Sequence, residues 1–310
     1  MKLLVAGASG LVGAAFARAA ARRGHAVTGV VGRFAGEIEG LARKISLELT
    51  HAAATQSAVL EEFPDALVNC AAVSSPEACD ADPARAQALN VALPRTLAEL
   101  AHHLDARFVH LSSEQVFDGS RSTPYAATDP VSPINLYGRQ KLASEQAVHA
   151  AAPELAVTVR APLLMGNSLS GARSPHERLF ADWAAGRPAR LFPDEYRQPC
   201  TAENLAEVML ELCERRDLRG VFHWAGAHLM SRLELGQQIR AHFKLSEQEA
   251  PIVAVPRADV PAVAAKRPAC LALAIGPLAG KLKTRPQPVE DQLAELIVPP
   301  PCRGWYSGRR

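Results

Sequence analysis

The segment Gly7-Ala8-Ser9-Gly10-Leu11-Val12-Gly13 constrains this chain more than any other. It lies between a short apolar run, Lys2–Ala6, which reads as a buried strand, and a stretch from Leu11 to Arg23, which reads as a helix stopped by Gly24. A strand that enters a helix through glycines has a separate use for each of them. Gly7 permits the tight turn, Gly10 lets a phosphate approach the backbone, and Gly13 lets helix pack closely on strand. The free N–H groups and positive dipole end of the helix then face an anion, with Ser9, Leu11 and Val12 part of the same cradle. The glycines are spaced by three residues, not in the commoner GxGxxG pattern. It is the order strand, turn, helix that makes this a pyrophosphate-binding turn.

The next 150 residues continue that rhythm. Strand candidates are Ala26–Val31, Ile45–Leu49, Ala66–Ala72, Arg107–Leu111 and Ala156–Arg160. A helix opens at Asp82-Pro83, an N-cap followed by proline at the first helical position, and its apolar face runs Ala86, Leu89, Leu93, Leu97, Leu100, Leu104. Another spans Asn135 to Ala151. Near-continuous apolar strands alternating with helices predict an α/β fold with a Rossmann-type, doubly wound parallel sheet. After residue 165 the alternation fades. Helices are expected at Leu179–Ala185, Asn204–Arg215 and Ser231–Phe243, and a strand at Val221–Trp224, and proline is dense from Pro251 to Pro301. The expected division is a nucleotide-binding domain over 1–165, with parts of about 199–228 returning to it. A smaller, irregular α/β substrate domain would fill 166–310 and end in a frayed tail from Val298.

Composition narrows the function. Lys and Arg number 34 against 32 Asp and Glu, so no basic footprint for nucleic acid is present. No window approaches the roughly 18 apolar residues of a membrane span. The N-terminal apolar run is shorter than the roughly seven residues of a secretory core. Six cysteines without a CxxC pair point to a reduced, cytoplasmic protein.

Two further features bear on chemistry. Dinucleotide binders that take NAD place an acid at the end of the second strand. Here that position carries Val31-Gly32-Arg33, and a guanidinium suits a 2′-phosphate, which favours NADP while leaving NAD open. Tyr137 and Lys141 stand four residues apart, on one face of a helix. An ammonium beside a phenol favours the phenolate, which would make Tyr137 a proton donor or acceptor near neutrality. Ser112 and Ser113 follow the fifth strand, where a hydroxyl could hold a substrate carbonyl.

Taken with their order and spacing, these residues resemble the extended short-chain dehydrogenase/reductase superfamily and, within it, the dTDP-4-dehydrorhamnose reductase family. The matching stretches include GASGLVG at 7–13, VNCAA at 68–72, EACDADPARAQALNV at 77–91, LSSEQVFDG at 111–119, PYAATDPVSPINLYGRQKLASE at 124–145, RAPLLMG at 160–166 and DEYRQPCTAENLA at 194–206. The resemblance implies a nicotinamide cofactor and hydride delivery to the 4-keto group of a nucleotide-linked deoxysugar. Tyr137 would protonate the nascent alkoxide, Lys141 would hold the cofactor ribose and lower the Tyr137 pKa, and Ser113 would orient the carbonyl. Cofactor contacts would also come from Cys70, Ala71, Ala72, Asn90 and Arg160, and substrate contacts from Ser112 and Arg197. The same resemblance suggests a homodimer.

The chain departs from the family pattern at Gln115, where an aromatic is usual, and at Ala127, where Glu is usual. Two alternatives stay open: a sugar-nucleotide epimerase or dehydratase of the same superfamily, and a cofactor-binding regulatory subunit resembling that of methionine adenosyltransferase. His102 and His103 lack metal-ligand spacing, and no metal is expected. His110 and His223 read as core histidines, and Trp183, Trp224 and Trp305 as packing residues. Arg173, Arg178, Arg187, Arg190 and Arg197 are candidate cations for a nucleotide diphosphate.

Overall fold

Seven parallel strands form the central sheet: β1 (Lys2–Ala6), β2 (Ala26–Val31), β3 (Arg43–Ser46), β4 (Ala66–Asn69), β5 (Arg107–Ser113), β6 (Ala156–Ala161) and β7 (Gly220–His223). They lie in the order β7-β6-β5-β4-β1-β2-β3. These positions come from a computed structural model, which describes residues 1–308. The strand order reverses between β1 and β4, so a crevice opens at the carboxyl ends of those two strands. All four residues of β4 and all six of β6 are buried, which is why they read as continuous apolar runs.

Helices cover both faces. On one side α1 (Leu11–Arg22) packs with α8 (Ala202–Glu214) against the sheet. The alanines of α1 at 14, 15, 17, 19 and 20 let the backbones approach, and ion pairs from Arg18 to Glu203 and Arg23 to Glu207 seam the two helices at 2.8 and 2.6 Å. On the other side lie α2 (Ala52–Glu62), α5 (Leu93–His103) and α6 (Leu136–Ala151). Between β4 and α5 come two short helices, α3 (Pro76–Ala81) and α4 (Pro83–Gln87). A third apolar cluster holds α7 (Pro175–Ala184) and α9 (Arg232–His242) to the last turns of the chain.

Several expected boundaries move, each for a local reason. The third strand is Arg43–Ser46, not Ile45–Leu49, because it pairs from Thr28↔Arg43 to Val31↔Ser46. The fourth ends at Asn69, whose side-chain oxygen accepts from the Ala71 N–H at 3.1 Å and turns the chain. β5 runs on to Ser113, pairing Ser112 and Ser113 with Arg160 and Ala161. The long helix expected from Asp82 is interrupted by a π turn over Ala88–Ala92. α7 starts four residues early because Ser174 and Glu177 form a reciprocal capping box. Helix α2 has almost no apolar periodicity and was not legible. The expected frayed tail is largely a correction. Residues 300–307 form two short turns, Trp305 packs edge-on against Phe180, and the Tyr306 hydroxyl donates to the Phe243 carbonyl at 3.0 Å. Its last two residues lie outside the described ones.

The expected core residues hold their places. His110 bonds Ser144 and Asn69, His223 bonds the Tyr125 carbonyl, and the Trp183 and Trp224 indoles are buried and donate to Pro251 O and Asn204 Oδ1. All six cysteines are free thiols.

Candidate active site

The glycine turn closes on itself: Gly10 N–H donates to Gly7 O at 2.9 Å, and the N–H groups of Gly7 and Ala8 both reach Val30 O. Gly7 has φ +82°, and a Cβ there would stand 2.7 Å from the Ala71 nitrogen. At Gly13 a Cβ would collide with the Gly7 carbonyl. These two positions require glycine on steric grounds. Helix α1 has no side-chain cap at its N-terminus and no acid in its first turn, so its first N–H donors remain available to an anion. Gly10, Leu11 and Val12 line a cleft of about 300 Å³ together with Cys70 and Ala72 from the segment after β4. This cradle fits a dinucleotide pyrophosphate. Ser9 and Ala71 lie in the same two turns but do not line the cleft. Arg33 is exposed on the turn after β2, beside the strand end that anchors Gly7.

Facing the turn is the pair from α6. Asn135 caps that helix through the Gly138 N–H at 2.7 Å, which fixes where Tyr137 and Lys141 emerge. Both are buried side chains lining the cleft, as is Ser113 at the end of β5. Lys141 Nζ donates to the Leu111 carbonyl at 2.7 Å, and burial lowers its pKa to about 8, against the pull of Glu145. Burial pushes the Tyr137 phenol up to about 12, and the Ser113 hydroxyl opposes that rise. The lowering expected from Lys141 is not present in this arrangement. In this structure the amine is turned to a backbone carbonyl, and Ser113 is the group that acts on Tyr137.

Three expected contacts prove to be supports. Asn90 lies in the π turn. Its oxygen accepts from the Val73 N–H at 2.9 Å, and its nitrogen donates to Val73 O and to Gln140 Oε1 at 3.1 and 2.9 Å. It clamps the segment after β4 to α6 and does not line the cleft. Arg160 is turned away from the cleft into a buried pair with Glu145 at 2.7 Å. Ser112 lines the cleft, yet its hydroxyl donates to Glu145.

Arg197 lines the cleft as expected, but its donors are committed to the protein. Nε lies 3.0 Å from Glu114 Oε1, Nη1 reaches Tyr196 O, and Nη2 reaches Pro268 O and Glu195. It cannot also clamp a diphosphate. Arg173 and Arg178 line the cleft, and among the described residues no carboxylate is within ion-pair distance of either. Arg187 pairs with Asp182 outside the cleft at 2.7 Å. Arg190 lines a smaller cavity next to it.

Sequence reasoning missed Glu114, Glu195 and Arg232 as site residues. All three line the cleft around Arg197. Burial raises the Glu114 carboxyl to about 8, with Glu195 adding to it and Arg197 opposing. The available signal was position: Glu114 directly follows Ser113 at a buried strand end, and Glu195 lies two residues before Arg197.

A family model described as the RmlD substrate binding domain matches residues 1–299. The dTDP-4-dehydrorhamnose reductase of Mycolicibacterium smegmatis is 31% identical over 248 residues, which cover 78% of this chain and 68% of that protein. The methionine adenosyltransferase 2 subunit beta of Xenopus tropicalis is 30% identical over 268 residues, covering 83% of this chain and 78% of that protein. A solved structure of a hypothetical dTDP-4-dehydrorhamnose reductase from Sulfolobus tokodaii matches with a TM-score of 0.80 at 28% identity, covering 96% of this chain and 100% of that one.

Proposed function

The chain belongs to the RmlD substrate binding domain family, and we propose that it is an NADP-preferring reductase acting on the 4-keto group of a nucleotide-linked deoxysugar. The observation that carries the reading is that Ser113, Tyr137 and Lys141 line one cleft with the uncapped start of α1. Residues 7–13 would hold the pyrophosphate, Cys70, Ala71 and Ala72 the dinucleotide opposite, and Arg33 a 2′-phosphate. A bound nicotinamide supplies the hydride.

The chain's own residues do the rest. The Ser113 hydroxyl donates to the substrate carbonyl oxygen and holds it against the Tyr137 phenol. Tyr137 gives its proton to that oxygen as negative charge develops there. Lys141 turns from Leu111 O to a cofactor ribose and places its positive charge beside the phenol, stabilising the phenolate that proton transfer leaves. The cleft carries Lys141 and five arginines against Glu77, Glu114 and Glu195, a balance that suits an anionic substrate. In this division of labour 1–165, with about 199–228, serves the cofactor, and 166–310 mainly the sugar nucleotide. A homodimer in the cytoplasm goes with this reading, and sedimentation of the purified chain tests the dimer. Among the described residues no helix is long and apolar enough to cross a membrane.

The test is oxidation of NADPH on addition of a dTDP-4-keto-6-deoxysugar, with NADH in parallel. A second reading is favoured by the relatives named methionine adenosyltransferase 2 subunit beta. On that reading the chain binds the cofactor, turns over no sugar nucleotide and co-purifies with a partner enzyme.

A further inference from the structure

One wall of the cleft is a chain of alternating acidic and basic side chains. Glu114 Oε1 lies 3.0 Å from Arg197 Nε, Arg197 Nη2 lies 3.4 Å from Glu195 Oε1, and Glu195 Oε1 lies 4.0 Å from Arg232 Nε. The segments that supply it are distant in sequence: the end of β5, the short strand Tyr196–Arg197 with the residue before it, and the first residue of α9. The chain is also incomplete. Glu114 Oε2, Glu195 Oε2 and Arg232 Nη1 are buried and have no hydrogen-bond partner among the described residues, and neither does Nε of Arg267, another residue lining the cleft. Orphaned polar atoms are uncommon inside proteins and costly where they occur. Several on one cleft wall mark a place that a ligand completes.

The orphans specify the ligand's chemistry. Two are carboxyl oxygens: that of Glu195 needs a donor, and that of Glu114, on a carboxyl that burial raises to about 8, can carry a proton and donate. Two are guanidinium N–H groups and need acceptors. A phosphate offers acceptors only and would be repelled by the Glu195 carboxylate, so it belongs at Arg173 and Arg178. An ammonium offers donors only and would face Arg197 and Arg232. A hydroxyl does both, and adjacent ring hydroxyls present donor and acceptor side by side. The terminal torsion of a glutamate is broad, so a carboxyl rotation turns each orphaned oxygen to the cleft that its residue lines.

We propose that Glu195 and Arg232 are specificity-determining residues that read free hydroxyls on the substrate's sugar ring. The proposal rests on the sugar-nucleotide reading above and orients the substrate within it. The sugar lies along Glu114, Glu195 and Arg232, and the diphosphate lies toward Arg173 and Arg178.

The experiment compares binding of dTDP, dTDP-L-rhamnose and NADPH to the full chain and to Glu195→Gln and Arg232→Met by calorimetry. The parent is expected to bind dTDP-L-rhamnose about tenfold or more tighter than dTDP, the scale of hydrogen bonds to charged groups. Each variant should lose most of that preference while keeping its dTDP and NADPH affinities within about twofold. Retained NADPH binding also shows that the variant is folded. Should either substitution unfold the chain, Glu195→Asp and Arg232→Lys replace it under the same criterion. A parent that prefers the sugar nucleotide, with variants that prefer it equally, overturns the proposal. So does a parent that binds dTDP and dTDP-L-rhamnose alike. A parent that binds NADPH but neither thymidine nucleotide overturns the sugar-nucleotide reading itself, and the proposal with it.

Discussion

Arg160 and Glu145 form a buried ion pair behind the cleft: Nη2 lies 2.7 Å from Oε2, Nε reaches Oε1 at 2.9 Å, and both residues are almost wholly excluded from solvent. Ser112 and the Ala127 carbonyl complete the cluster, and the guanidinium stands 5.1 Å from the Phe117 ring. The pair locks α6, which carries Tyr137 and Lys141, to β6. Removing one partner leaves a buried charge uncompensated, so Glu145→Gln or Arg160→Met is expected to cost about 3–5 kcal/mol in urea unfolding. If Arg160 instead contacted the cofactor, Arg160→Met would weaken NADPH binding with little loss of stability.

The glycine turn gives a sterically grounded prediction. Gly7→Ala must accommodate a left-handed backbone and a Cβ 2.7 Å from Ala71 N, and both obstacles are main chain. The variant should lose about 2–3 kcal/mol of stability and bind either dinucleotide at least about tenfold more weakly. Gly24→Ala, where φ is +76° and the space is open, should cost only about 1 kcal/mol and leave cofactor binding intact. Equal effects at the two positions would mean that the turn has no special fit to a ligand.

What was legible in the sequence, and what was not, follows from the range of the forces involved. The sheet could be read because β1, β2, β4, β5 and β6 are short, doubly buried and punctuated by glycine, proline or a cap. α2 could not, since only Thr55 and Val59 of its eleven residues are buried. Ser113, Tyr137 and Lys141 could be placed together because each follows from its own strand or helix. Asn90, Arg160 and Arg197 could be singled out, but their partners could not be named. Those partners are Val73, Glu145 and Glu114, and they come from segments whose meeting only the tertiary fold determines. A buried arginine and a ligand-binding arginine look the same in a sequence.

Tyr137→Phe removes one hydroxyl and leaves the ring in place against Cys79 and Ala86. The variant should fold and bind NADPH as the parent does. Its turnover on a 4-keto sugar nucleotide should fall by about 10²–10⁴, the range for a positioned general acid. A rate within a few-fold of the parent would remove Tyr137 from the proton transfer.

Arg33 is exposed on the turn after β2, and no carboxylate among the described residues pairs with it, so its guanidinium is available to a 2′-phosphate. Arg33→Ala should weaken NADPH binding about tenfold or more and leave NADH binding unchanged, as read by nicotinamide fluorescence. Parallel loss of both affinities, or of neither, would argue against a 2′-phosphate contact and for no preference between the cofactors.

Lys141 is expected to reduce the stability of the fold at neutral pH. Its pKa is lowered from 10.5 to about 8, chiefly by burial. Between those values the unfolded chain keeps the proton and the folded chain releases it, so stability rises with pH across that window. Below about pH 8 the fold carries the full penalty of the buried ammonium, on the order of 3 kcal/mol. Lys141→Met removes that penalty and forfeits the bond to Leu111 O, worth about 1 kcal/mol, so it should be about 2 kcal/mol more stable than the parent at pH 7. The difference should shrink as pH approaches 10.5, while turnover is lost at every pH. Urea unfolding of both proteins at pH 7 and pH 10 decides the matter. A variant less stable than the parent at pH 7 would show that Lys141 supports the fold instead of being held in the cleft at a cost to stability.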